Sequence, residues 1–150
     1  MPHIGYFPPV GYPKPLTISP GAFVPELDTN DWSIDEYALK NRAVFVRQDF
    51  HAGVILPHGA TVTRMTLYGY RDDVNSSMEL SLWRSNRQGV VDRVGYAMGN
   101  FTGGYGNISD VEIDNPVIDN INYTYSLHFS MNPNDSVDDC YLTGVAIEWN

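Results

Sequence analysis

Apolar and polar positions alternate with a period of two along most of the chain. The clearest run sets Tyr123, Tyr125, Leu127, Phe129 and Met131 against Thr124, Ser126, His128 and Ser130, the pattern of a strand with one buried face. Met78, Leu80 and Leu82 alternate in the same way with Glu79, Ser81 and Trp83. Residues 61–70 carry Thr, Val, Met, Leu and Tyr, which suit a pleated, half-buried surface. The polar cluster at 71–77 reads as a turn joining these two segments into a hairpin. Asn86 to Gly89 reads as the next turn, with a strand over 90–98 beyond it.

Further strands are predicted at 43–48, 51–56 and 109–115. In the last of these Asp110, Glu112 and Asp114 form a solvated face opposite Val111 and Ile113. A closing strand spans 140–150, where Gly144 breaks the alternation and predicts a bulge. Pro57-His58-Gly59 marks a corner between two strands, because proline lacks an N–H and glycine accepts unusual φ. Residues 28–42 contain the one helix candidate, with Asp31 or Ser33 as cap and Glu36, Leu39 and Lys40 inside. Residues 99–107 are glycine-rich, but with no Lys-Ser/Thr continuation and no following helix they do not form a phosphate cradle.

Roughly one strand per 10–12 residues, without helical crossovers, predicts an all-β, two-sheet antiparallel sandwich of jelly-roll type. An immunoglobulin-like sandwich is the alternative, and a parallel βαβ arrangement is excluded.

The amino-terminal segment differs from the rest. Residues 1–27 hold seven of the ten prolines, a density that favours extended chain over helix or central strand. Tyr6, Phe7, Tyr12, Leu16, Ile18 and Phe23 are interleaved with them. An apolar extended arm needs a surface to lie on: either its own domain at 28–150 or a neighbouring subunit.

With 150 residues, 43% of them hydrophobic and 18% charged, the chain fits one globular domain. A net charge of −9, with nine basic residues scattered along the chain, argues against nucleic acid as a partner. No apolar run is long enough to span a membrane as a helix, and the first residues lack the pattern of a signal peptide. Cys140 is the single cysteine and reads as a small buried strand residue rather than a reactive thiol.

Ala22-Phe23-Val24-Pro25 and the run Leu56-Pro57-His58-Gly59-Ala60-Thr61-Val62-Thr63 resemble an uncharacterised family of β-sandwich domains in environmental bacterial and phage-associated sequences. The resemblance continues through Tyr68-Gly69-Tyr70, Leu80-Ser81-Leu82-Trp83-Arg84 and Leu142-Thr143-Gly144-Val145. In broader architecture the chain is similar to the jelly-roll decoration, or cement, proteins of phage capsids. That similarity implies a homo-oligomer, a trimer by analogy, seated on a capsid shell at the virion surface, with no catalytic residues.

Candidate chemistry is sparse. His58 sits at the corner and reads as a backbone-bonding histidine rather than a base, since no second histidine lies at ligand spacing. Asp135, Asp138 and Asp139 are candidate Ca²⁺ ligands by type, although turn chemistry explains them as well. Glycosidase chemistry would need two carboxylates facing across a cleft, and no nucleophile or zinc motif occurs. Trp83, Tyr68, Tyr70 and Tyr105 are aromatics on the solvent side of their strands, suited to stacking on sugars or to an oligomer interface. Two functions from different classes follow: a non-catalytic structural subunit such as a capsid decoration protein, or a secreted or cell-surface module that binds carbohydrate.

Overall fold

A computed structural model describes residues 14–27, 31–35, 37–99, 101 and 103–150. Within them the chain forms β1 (Leu16–Ile18), a 3-10 turn (Pro20–Ala22), β2 (Val24–Pro25), β3 (Trp32–Asp35), β4 (Ala38–Asn41) and β5 (Gln48–Val54). These are followed by β6 (Val62–Arg71), β7 (Ser77–Asn86), β8 (Val91–Met98), β9 (Gly104–Asp110), β10 (Tyr123–Asn132) and β11 (Cys140–Trp149). Sheet one has the order β3-β4-β11-β6-β9, with β1 also paired to β11, and sheet two has the order β2-β5-β10-β7-β8. Every pairing is antiparallel. The fold is the two-sheet antiparallel sandwich that the alternation predicts.

The alternating strands bury the expected sides. Leu80, Leu82, Leu127, Phe129 and Met131 of sheet two face Met65, Leu67, Leu142 and Ile147 of sheet one, all fully or almost fully buried. Aromatic edges knit one end of this core: Phe129 lies 6.1 Å from Phe23 and 6.3 Å from Phe50, and Phe50 lies 6.2 Å from Trp32. Cys140 is buried in β11, and burial pushes its thiol up to about 12, so it is the inert core residue expected.

The corner after β5 carries the chain from sheet two to sheet one. Gly59 adopts φ 81° there, a region that side chains disfavour. Its N–H donates to the Ile118 carbonyl at 2.8 Å, and the Asn120 amide donates to the Leu56 carbonyl at 2.7 Å. His58 behaves as a backbone-bonding residue: its Nδ1 accepts the Asn120 N–H at 3.2 Å. Beside it, Asp119 accepts from the side chain of Asn122 and from the N–H groups of Ile121 and Asn122, which hold its carboxyl below the usual range.

Four local expectations are corrected. Residues 32–35 and 38–41 pair as the strands β3 and β4 rather than forming a helix, because Leu39 is wanted in the core and pairs with Leu142 of β11. Tertiary pairing outweighs the moderate helix propensity of that stretch. Residues 61–70 and 77–86 are not a hairpin: the polar cluster between them crosses from sheet one to sheet two. The glycine-rich stretch supplies β9, which ends at Asp110, the second residue of the strand predicted at 109–115. Residues 43–47 are turn-like, with Phe45 at φ 60°.

Part of the amino-terminal arm is now placed. Tyr6, Phe7 and Tyr12 lie outside the described residues. Leu16 and Ile18 pair with Ile147 and Val145 of β11, and Phe23 is 1% exposed in the core. From Leu16 onward the segment is therefore part of the sandwich, and these side chains contact their own domain.

The close approach of β6 and β11 depends on Gly69. A Cβ there would stand 2.6 Å from the Tyr141 carbonyl oxygen and 3.0 Å from the tip of Met78. Gly69→Ala should lower unfolding free energy by about 1–3 kcal/mol in chemical denaturation. Gly53→Ala, in β5 with nothing within 4 Å of its added Cβ, should leave stability within about 1 kcal/mol. Equal effects at the two sites would contradict this account.

Candidate functional site

The outer face of sheet one carries a row of tyrosines fixed by strand register. Tyr141 of β11 pairs with Tyr70 of β6, and Tyr70 pairs with Tyr105 of β9. Each side chain points away from the core because its neighbours Leu142, Gly69 and Gly106 occupy the inner positions. The rings of Tyr70 and Tyr141 stack, with centroids 4.9 Å apart and planes 7° from parallel. Tyr105 meets Tyr70 edge-on at 5.3 Å, and its hydroxyl lies 3.1 Å from that of Tyr141. Stacked rings stand upright, so the row forms a wall rather than a flat platform.

The β3–β4 hairpin provides the opposite wall. Between them lies an open cleft of about 490 Å³, lined by Asp35, Tyr37, Ala38, Lys40, Tyr105, Tyr141 and Thr143, within the ordinary size range of small-ligand sites. Tyr37 and Tyr105 are 77% and 76% exposed, so both offer unburied aromatic surface at the rim. Lys40 lies 4.9 Å from the centre of the Tyr141 ring, within cation–π range.

One ammonium meets two carboxylates around the cleft. The Lys40 ammonium donates to Asp138 at 2.9 Å and sits 3.4 Å from Asp35. The hydrogen bond that Lys40 donates to Asp138, opposed in part by desolvation, raises the Lys40 pKa. Burial, then the hydrogen bond with Tyr105, pushes the Tyr141 phenol far above its usual value, and burial together with Asp72 raises that of Tyr70. Both phenols therefore stay neutral hydrogen-bonding groups at physiological pH. A neighbouring hollow holds Asp72, Asp73, Asp135 and Asp139, so the surroundings repel anions.

Beneath the row, Arg71 is 3% exposed and donates to three carbonyls: Ser76 at 2.7 Å, Phe101 at 2.9 Å and Val74 at 2.6 Å. It ties the 72–76 turn and the segment before β9 to the end of β6, next to Tyr70.

The residues singled out in the sequence fall into three groups. Tyr105 and Tyr70 belong to the row, and Tyr68 stands beside them on the same face, 44% exposed. Trp83 lies on the opposite face of the molecule, in sheet two, where its indole N–H donates to Ser81 Oγ at 2.7 Å. Two of the three candidate Ca²⁺ ligands have other tasks. Asp138 holds Lys40, while Asp139 accepts the N–H groups of Asp135 and Ser136 at 2.6 and 2.7 Å and so caps its own turn. Among the described residues no group of three or more His, Cys, Asp or Glu could hold a metal ion. Tyr141 and the hairpin wall were missed in the sequence, because the single signal for them is the register between distant strands.

No protein-family pattern matches the chain, and no curated protein matches it in sequence. Among solved structures, the fold is similar to part of a Clostridium thermocellum N-terminal endo-1,4-β-D-xylanase chain that comprises CBM22-1 and GH10 modules and is complexed with xylohexaose. That match has a TM-score of 0.56 at 10% identity and covers 89% of this chain; it spans 27% of the xylanase chain. Two smaller structures align more loosely. One is CBM32-1 from a family 31 glycoside hydrolase of Clostridium perfringens, at TM-score 0.41 and 14% identity over 87% of this chain and 96% of that one. The other is the xylan-binding module CBM15, at 0.38 and 9% over 84% and 95%.

Arg71 tests whether this end of the molecule is held as described. Arg71→Met should lower unfolding free energy by about 1–3 kcal/mol, because it removes the donor from the buried Ser76 carbonyl and the part-buried Phe101 and Val74 carbonyls. A loss under about 1 kcal/mol by chemical denaturation would contradict the role given to it.

Proposed function

We propose that this protein is a non-catalytic carbohydrate-binding module, working outside the cell or at its surface, that takes a neutral sugar chain into the cleft beside the tyrosine row. The observation that carries this reading is the in-register row Tyr141–Tyr70–Tyr105, of which Tyr141 and Tyr105 line a cleft of ligand size. A pyranose has apolar C–H faces and a polar rim, and tyrosine offers the matching combination of an apolar ring and a hydrogen-bonding tip. Thr143, Asp35 and the Tyr105 and Tyr141 hydroxyls supply the polar contacts that fix orientation. Because Lys40 is already matched by Asp35 and Asp138, no uncompensated cation invites an acidic sugar. The similar fold of a xylanase chain complexed with xylohexaose supports the reading.

The capsid-decoration reading is weaker. It rests in part on an arm that grips a neighbour, and of that arm Leu16, Ile18 and Phe23 are engaged within their own sandwich.

Calorimetric titration with neutral xylo-, gluco-, galacto- and manno-oligosaccharides tests the proposal. At least one series should bind, and Tyr105→Ala should weaken it at least about tenfold, or ~1.4 kcal/mol, with the fold intact because the ring is exposed. Absence of binding across the panel, or unchanged affinity in the variant, would refute it.

A further inference from the structure

The outer face of sheet two holds a second constellation, unrelated to the tyrosine cleft. His51 of β5 and His128 of β10 are direct cross-strand partners. Both side chains are exposed, and their ring centroids are 6.4 Å apart. Neighbouring strands close off the two ends of the pair: Val24 of β2 pairs with His51, and Ser81 of β7 pairs with His128. The Trp83 ring lies 6.1 Å from that of His128.

We infer that His51 and His128 form a two-imidazole chelate for a divalent transition-metal ion such as Zn²⁺, Ni²⁺ or Cu²⁺. Neutral imidazole is the natural ligand for these borderline cations, whereas Ca²⁺ and Mg²⁺ need oxygen donors. Metal–nitrogen bonds of ~2.0–2.1 Å to one nitrogen of each ring bring the ring centres to roughly 5–6 Å. Rotation of two exposed side chains closes the small remaining gap without moving the backbone. The sheet fixes both Cα positions, so the second imidazole binds as an intramolecular step once the first is engaged.

The local charge permits a cation. In the next row Arg47 is the positive group, and it is paired with Asp49 at 3.2 Å and Glu79 at 3.3 Å. Two carboxylates against one guanidinium leave that flank net negative, as is the whole chain at −9. Two protein ligands leave coordination positions open, so the site is a surface docking point for a metal carrying water or an external donor, distinct from a closed structural centre.

Titration of the full chain with Zn²⁺ alone, followed by calorimetry, should show one ion bound per chain. Either His51→Ala or His128→Ala should weaken binding roughly a hundredfold, the size of a lost chelate, and the double variant should be little worse than each single. Cu²⁺ should quench tryptophan fluorescence, and Trp83→Phe should remove most of that quenching. If Ala disturbs strand pairing, His→Gln at the same positions serves with the same expectation. Zn²⁺ affinity unchanged in the double variant, or only about twofold lower in the singles, would overturn the assignment.

Discussion

The pairing of β6 with β11 is the constraint on which the rest of this protein depends. At Gly69 the two backbones come so near that a single methyl group would strike the Tyr141 carbonyl. The bulge between Leu142 and Gly144 then shifts register, so that Leu142 and Val145 both point into the core although an uninterrupted strand would place them on opposite faces. Those two features align Tyr141 with Tyr70, and β9 extends the line to Tyr105. The tyrosine row is a by-product of how the central strands of sheet one must meet.

Around that centre, polar groups are used mainly to fix loops. Arg71 gathers three carbonyls at one end of β6. Asp119, Asp139 and Asp73 accept N–H groups of their own turns or of neighbouring ones, and Asp110 accepts the Tyr96 N–H to join β9 to β8. Carboxylates that look abundant in composition are therefore engaged as caps and ties. What the cleft presents to solvent is aromatic faces, hydroxyls and a lysine ion-paired to two carboxylates. Neutral, hydroxyl-rich ligands suit that surface better than anions or nucleic acid.

Much of the architecture was legible because period-two alternation is strong where one face is buried and the other wet. It located β10, β7 and β8, the bulged β11, and the corner at Pro57–Gly59. It failed where local composition and tertiary demand disagree. Leu39 and Lys40 are good helix formers, yet Leu39 is drawn into the core beside Leu142. Glycines in β9 look like loop chemistry, but Gly106 leaves room for the Phe101 ring, which an added Cβ would meet at 2.5 Å. Of the site, Tyr70 and Tyr105 could be read as exposed aromatics. Their union with Tyr141 could not, nor could the meeting of His51 with His128, since both rest on pairings between strands far apart in sequence.

A neutral oligosaccharide should touch the protein at the cleft beside the tyrosine row. Two-dimensional NMR of the isotopically labelled chain, titrated with a neutral xylo-oligosaccharide or whichever neutral series binds, locates that contact residue by residue. Shifts concentrated at Tyr37, Lys40, Tyr105, Tyr141 and Thr143 are the predicted result. Shifts confined to Trp83, His51 and His128 on the opposite sheet, or none at saturating sugar, would contradict it.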